Sequence, residues 1–368
     1  MRTVRRLFYA DIVSSVAFVA LAFLSLFFFI DFVDELGNIG TRGYTALNAA
    51  AYALLLVPGH LYELVPIAVL IGAIYALARL AQTSQYTILR TGGLGPWRAL
   101  WLLTSLGLIF AVLTWLVGDY VAPASERFAS EVKAVRQGGV RVGASGAWLR
   151  DHANTPDGER SYSVNVGSAE GGSHLRDVRI FEFDGEGHLL RRISAATADV
   201  ARDATWTLHD ARITRWLEDG SAPRAPEEQR AEFVWPSTLS AAVVAAAVLP
   251  VSTMSTVALW RYIGHLASNE QAAQSQEILF WKRALYPFAC LVMIGLALPF
   301  AYLGSRSGGV SLKVFGGIMI GISFVLLNNV ASHLGLLRDW TPWIVAAAPS
   351  ALYMLMSFAA FSWLVRYR

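Results

Sequence analysis

Lysine is scarce in this chain of 368 residues: Lys133, Lys282 and Lys313 are all there are, and none follows a glycine. A Walker A loop, in which a glycine-rich turn and its lysine cradle nucleotide phosphates, is therefore excluded. Cysteine is scarcer still, with Cys290 alone, so no intrachain disulfide can form. HExxH, CxxC and GxSxG are absent; the nearest approach to the last, Gly143-Ala144-Ser145-Gly146-Ala147, fails at its final position. No seat for catalysis is visible, and a non-catalytic role is the expectation. Charge is thin as well, at 15% of residues, against about 25% in soluble domains.

What fills the chain instead is apolar: 55% of residues are hydrophobic. Six runs approach the ~20 residues that a helix needs to cross a bilayer core: Ile12 to Ile30, Leu61 to Leu80, Leu100 to Val121, Ala284 to Leu303, Val314 to Leu334 and Trp343 to Val365. A seventh, Leu239 to Val251, lies between Pro236 and Pro250 and at about 13 residues is too short to span. The first run follows Arg2, Arg5 and Arg6 as a signal peptide would, but it leads into FFFIDFVDELG without a small-x-small cleavage site and is expected to remain as a span.

Lys and Arg in short loops stay cytoplasmic. With the N-terminus inside, the cytoplasmic segments carry Arg2, Arg5, Arg6, Arg79, Arg90, Arg98, Arg306, Lys313, Arg366 and Arg368, and the short outer loops carry Arg42 and Arg338. Both termini are thus expected in the cytoplasm. The pI of about 9.0 reflects these basic flanks and is no sign of nucleic acid.

Between the third and fourth spans, Asp119 to Ile278 carries net charge −5 while the rest carries +8. This is a water-facing insert on the far side of the membrane. Residues 177 to 193 (DVRIFEFDGEGHLLRRI) alternate as a hairpin turning at Asp184-Gly185, and 204 to 216 (ATWTLHDARITRW) alternate again, with Trp206, Leu208, Ile213 and Trp216 as apolar positions. Short strands over such a length suggest a β-sandwich or jelly roll. After Pro250, Ser255 is placed to cap an amphipathic helix carrying Leu259, Tyr262, Ile263 and Leu266, with Trp260 and Tyr262 as interfacial anchors. The expected class is an α-helical membrane protein with six transmembrane helices and an inserted all-β domain, a sandwich or jelly roll, on the far side. Its parts are residues 1–125 with spans one to three, 126–252 with the β-domain, 253–280 with the connecting helix, and 281–368 with spans four to six.

Asp31, Asp34 and Glu35 end span one, and Glu63 lies near the outer end of span two; all are shallow enough to snorkel into water. Asn328 and Asn329 in span five are placed to bond across helices. After span two comes LAQTSQYTILRTGG. Ser84 is expected to cap a short helix through Arg90, Gly92-Gly93 to end it, and Tyr86, Leu89 and Arg90 to share one face. Such a helix serves either as a knob for a cytoplasmic partner or as a plain interfacial turn.

FVDEL, LAQTSQYTILRTGG, DYVAPASERFA, LWRYIGHL, FWKRALYPFACLVMIGLALPFAY and LGLLRDWTPW, in that order, closely resemble the LptF/LptG permease family, and FVDEL and the overall order are most similar to its LptG branch. The resemblance implies the permease subunit of an ABC transporter that extracts lipopolysaccharide from the bacterial inner membrane and passes it to a periplasmic bridge. It implies that the inserted all-β domain is periplasmic and jelly-roll-like, and that LptF, LptC and a dimer of the ATPase LptB are partners. ATP and Mg would sit on that ATPase, with no cofactor on this chain. Residues near 82–93 resemble the family's coupling helix, with Ser84, Gln85, Tyr86, Ile88, Leu89 and Arg90 as its contacts; Gln85 stands where relatives usually carry Glu, which trades an ionic contact for a neutral one.

Lipid contacts are expected from an apolar wall of Phe27, Phe28, Phe29 and Phe32 and from a basic rim of Arg42, Lys133, Arg136, Lys282 and Arg283, since Arg grips phosphate bidentately. Asp31 stands near a position that is basic in some relatives. In the β-domain, Trp148, Phe181, Phe183, Trp206 and Trp216 are candidates for an apolar groove or for a packed core. Without the resemblance, the residues leave open a membrane scaffold or receptor whose β-domain binds a periplasmic protein, or an ion-coupled carrier using Asp31 or Glu63.

Overall fold

The computed structural model describes residues 2–40, 44–137, 140–141, 146–155, 158–170, 174–201, 204–216, 227–237, 239, 243–244, 253–268, 273–302 and 309–367. Six helices among them are long and apolar enough to cross a membrane. The chain divides into two compact units, one of residues 1–37, 53–125 and 274–368, the other of 38–52 and 126–273.

The first unit is helical. It comprises α1 (Arg2–Glu35), most of α2 (Ala46–Gln82), the short α3 (Gln85–Thr91) and α4 (Pro96–Leu116). A π-helical turn (Val117–Val121) then leads into α5 (Ala122–Gln137), which passes into the second unit. Three long helices complete the first: α7 (Gln274–Tyr302), α8 (Val310–Leu337) and α9 (Pro342–Tyr367). The π turn has a local cause, because Pro123 offers no N–H to the carbonyl four residues back.

At the centre is α2, whose most apolar window is 72% buried, whereas that of α1 is 6% buried. Phe8, Ile12 and Val16 form the inward edge of α1. Gly72 lets the two helices close, since a Cβ there would lie 2.6 Å from the Val16 backbone. At the same end Asp11 accepts from Arg79 of α2 at 2.9 Å, and the Tyr9 hydroxyl donates to the Leu102 carbonyl of α4 at 3.1 Å. Asn328 donates to Phe324 within α8. The bond between helices α8 and α9 comes from Ser323 and Tyr353, 2.5 Å apart.

The second unit is built on one seven-stranded antiparallel sheet: β1 (Val140–Arg141), β2 (Ala147–Thr155), β3 (Gly158–Glu170), β4 (His174–Phe183), β5 (Leu189–Val200), β6 (Thr205–Arg215) and β7 (Glu228–Pro236). From β3 to β7 each strand pairs with the next, a meander, with β1 and β2 both along β3. The turn at Asp184-Gly185 forms as expected. The Asp184 carboxylate accepts from the backbone N–H groups of Glu186 and His188, and these bonds, with the His188 ring, hold it below the usual carboxylate range.

One row interrupts the ladder without shifting register. Gly167, Asp177, Ala196, Asp210 and Ala231 face one another across β3 to β7 but fall out of the pairing on both sides. Asp177 and Asp210 take left-handed φ values of 53° and 54°. Because two successive residues point outward there, Leu175, Ala198 and Leu208 on one side and Val178, Ala195 and Ala211 on the other all still face the core.

That core holds Trp206, Trp235, Tyr162, Leu149 and Ile180, and the segment after β7 adds Leu239 and Val244. Helix α6 (Thr256–Ser268) is the expected amphipathic helix: the Ser255 hydroxyl accepts from the Ala258 N–H at 3.2 Å, Leu259, Ile263 and Leu266 are buried, and Trp260 is exposed.

Candidate functional site

Helix α3 is fixed at both ends by backbone geometry. Gly93 adopts φ 98° and the N–H of Leu94 reaches back to the carbonyl of Leu89, so the helix ends in a Schellman turn where Gly92-Gly93 predicts it. Its start differs from expectation. Ser84 sits left-handed at φ 59° and makes no side-chain cap. The hydroxyl of Thr83 bonds back to Arg79 and closes α2 instead. A left-handed residue between the two helices turns the chain sharply enough that the Ser84 side chain is directed away from the α3 amides.

The facing of α3 is the informative part. Tyr86 is 3% exposed, its ring edge-on to that of Tyr302 at 5.2 Å, and the Arg90 guanidinium lies 5.8 Å over the same Tyr302 ring. Burial pushes the Tyr86 hydroxyl well above the ordinary tyrosine range. Leu89 is half-buried against the same core. The predicted shared face of Tyr86, Leu89 and Arg90 therefore exists, but it is the face that holds α3 to its own bundle. The free face carries Ser84, Gln85, Thr87 and Ile88, and Ile88 is 67% exposed.

The opposite ends of the long helices gather polar groups. His60 of α2 lies 2.7 Å from the Asp31 carboxylate and stacks on Phe27 at 4.8 Å. Phe28 and Phe32 stack on each other at 6.3 Å, as a continuous wall would. Nearby, Tyr62 meets Tyr286 at 4.9 Å and the Tyr286 hydroxyl donates to the Glu63 carbonyl. Lys282 lies within electrostatic reach of Glu63, and Arg283 and Asp119 within reach of Tyr62. Gly118, in the π turn, is flat against Tyr62, where a Cβ would come within 2.3 Å of the ring.

The structure thus brings Phe28, Asp31, Phe32, Lys282 and Arg283 to one end of the bundle. Arg42 lies outside the described residues. Lys133 and Arg136 fall on α5, with side chains outside the described set. His60 is the residue that sequence reasoning passed over. An imidazole inside an apolar run is as unusual as a carboxylate there and carries the same signal.

In the β-unit, Trp206 is wholly buried and donates its indole N–H to the Leu239 carbonyl at 2.9 Å. Trp148 is 55% exposed and stacks on Phe181, while Arg192 lies over Trp216. Of the five groove candidates, Trp206 is core, and the hollow it faces is filled by Leu239 and Val244. An open groove of about 660 Å³ runs along the interrupted row instead, lined by Asp177 and Asp210 and by Arg179, Arg212 and Arg230. His174 and His209 both contact Asp199 across β4 to β6, and His209 chiefly holds that carboxylate below its usual range. Among the described residues no group of three or more His, Cys, Asp or Glu is placed to hold a metal.

The sequence matches the family of the lipopolysaccharide export system permease LptF/LptG over residues 6–364. It is 25% identical over 330 residues to lipopolysaccharide export system permease protein LptG of Haemophilus influenzae, covering 89% of each chain. To LptG of Escherichia coli K12 it is 27% identical over 341 residues, covering 91% of each.

Proposed function

The chain belongs to the LptF/LptG permease family, and from that premise we propose that it is the transmembrane subunit of an ABC-type exporter that extracts lipopolysaccharide from the inner membrane and hands it to a periplasmic bridge. Both termini and α3 lie in the cytoplasm, and the β-unit lies in the periplasm, as the arginine-rich inner loops favour. LptF is the second permease and LptC the first acceptor. ATP and Mg bind a dimer of LptB, and its closure pushes α3 inward. Spans one and five, whose apolar faces are largely exposed, shift against LptF and squeeze the lipid toward the periplasm. Phe28 and Phe32 line the acyl side, with Lys282 and Arg283 on the headgroup phosphates.

The observation that carries this reading is the free face of α3. A seven-residue helix locked down by Tyr86 while Ile88 stands 67% exposed is built to enter a partner. Recovery of the chain from membranes, with ATPase assay of the eluate, tests it on Gln85→Ala, Ile88→Asp. The native protein is expected to bring down a separate ATPase and the variant to lose it. An eluate without ATPase activity from the native protein refutes the reading and leaves a scaffold. Tyr86→Ala does not serve as the test, since a buried aromatic cut to Ala costs about 3–5 kcal/mol of the chain's own stability.

A further inference from the structure

We infer that Tyr302 is a positioning residue that couples α3 to α7, so that movement of the ATPase-docking helix is delivered to the turn bearing Lys282 and Arg283. This rests on the proposed function and deepens it, because it names the route by which one end of the membrane unit acts on the other.

The contact is specific in form. Tyr302, the last residue of α7, is 6% exposed and held from two sides by residues one turn apart on α3, Tyr86 edge-on and Arg90 over its face. The two buried hydroxyls lie toward each other, with no other partner among the described residues. The two rings and the Arg90 guanidinium make the joint, so the end of α7 is carried with α3. No other side chain of α3 is so deeply enclosed, so beyond the backbone joints to α2 and α4 the Tyr302 contact is the place where α3 grips another helix.

From there α7 is the direct mechanical line. Its 29 residues span about 43 Å at 1.5 Å per residue. The far end carries Lys282, Arg283 and Tyr286, and Tyr286 is tied to α2 through the Tyr62 ring and the Glu63 carbonyl. Along its length small residues let neighbours come close: Gly107 of α4 lies against Leu291 and Ile294, and Gly295 against Ser357 of α9. Such contacts seat α7 closely between α4 and α9. Pro287 and Pro299 remove the backbone bonds that would reach Arg283 and Gly295. The missing bond at Pro287 lies directly beneath the cationic turn, so a push at Tyr302 becomes a change of tilt at Lys282 and Arg283.

The test uses the complete complex in lipid nanodiscs, Cys290→Ser throughout, spin-labelled at Phe280→Cys on α7 and Val33→Cys on α1, with distances measured before and after trapping with ATP and vanadate. In the parent protein the distance is expected to shift on trapping. Tyr302→Leu should lose at least half of that shift, while ATPase co-purification persists and the hydrolysis rate stays within about twofold. Tyr302→Phe, which keeps the ring, should shift as the parent does. A full shift in Tyr302→Leu, or loss of the shift in Tyr302→Phe, overturns the inference. If Tyr302→Leu does not assemble, Tyr302→Met carries the same comparison. A parent complex that hydrolyses ATP without any movement of α7 overturns this inference alone, whereas a parent without an ATPase overturns the proposed function.

Discussion

Replacing Trp206 with Phe removes one hydrogen-bond donor and one ring from the centre of the β-unit, and the consequences are separable. The Trp206 indole is wholly buried, donates to the Leu239 carbonyl at 2.9 Å and meets Trp235 edge-on at 5.4 Å. Phe preserves most of the aromatic contact. It leaves the Leu239 carbonyl without its donor, at about 1–3 kcal/mol for an orphaned buried acceptor, and a cavity worth about 1 kcal/mol more. With a urea slope of about 2 kcal/mol per molar, the unfolding midpoint should fall by about 1–2 M. The assay is a urea titration of the full chain in detergent, followed by near-ultraviolet circular dichroism. Trp148→Phe is the control. That ring is 55% exposed and stacks on Phe181, so its midpoint should move by less than about 0.3 M. Equal shifts for the two variants would refute the idea that the segment after β7 is fastened into the hollow of the sheet through Trp206.

Three further outcomes follow from single side chains. Glu182 is 1% exposed between Arg160 and Arg191; because both arginines keep some contact with water, Glu182→Ala should cost about 3 kcal/mol, the low end for breaking a buried pair, read by the same titration. Gly118→Ala places a Cβ within 2.3 Å of the Tyr62 ring and should destabilise the helical unit by about 1–3 kcal/mol through overpacking, seen as a lower melting temperature in detergent. Burial on α6 lowers the His265 pKa below 6.5, with Asp151 opposing. The unfolded chain then binds the proton more readily, so this contribution is complete above pH 6.5 and is lost as pH falls below it. The β-unit should unfold more easily at pH 5.5 than at 7.5, and His265→Gln should flatten that slope.

The spans were legible because twenty-residue apolar runs have one common explanation, yet their ends were not. Helix α1 extends from Arg2 to Glu35, beyond the apolar run of Ile12 to Ile30, since charged residues at a membrane surface carry a helix onward as well as apolar ones do. The Gly92-Gly93 stop was legible because only glycine takes a left-handed φ freely. Ser84 was not, because its left-handed φ of 59° is imposed by the turn between two helices and disables the cap that its side chain predicts. The facing of α3 was beyond the sequence for a related reason. Seven residues hold too few turns for a periodicity, and the side that turns inward is chosen by Tyr302 at the end of another helix. Asp31 and His60 meet across two helices that the sequence gives no means of placing side by side. In the β-unit the hairpin and its turn were readable from alternation, whereas the filling of the hollow by Leu239 was not. That segment reads as an apolar run too short to span a membrane, and its destination depends on the Trp206 donor.

The electrostatics of the membrane unit bear on how a lipid headgroup is held. At the ends of α1, α2, α4, α7, α8 and α9 that share a side, the described part of this unit sets seven carboxylates, Asp31, Asp34, Glu35, Glu63, Asp119, Glu277 and Asp339, against three permanent cations, Lys282, Arg283 and Arg338. Asp31 also occupies the imidazole of His60. A phosphorylated headgroup thus meets a surface whose net charge opposes it. Within a symmetric pair of such surfaces repulsion would dominate at the separations, under a Debye length of about 8 Å, where charges are not screened. The proposed phosphate contact on Lys282 and Arg283 therefore requires that the carboxylates around them be taken up by bonds within the chain, as Asp31 is by His60, and Asp31→Asn, which frees no cation and removes one opposing charge, is expected to strengthen that contact.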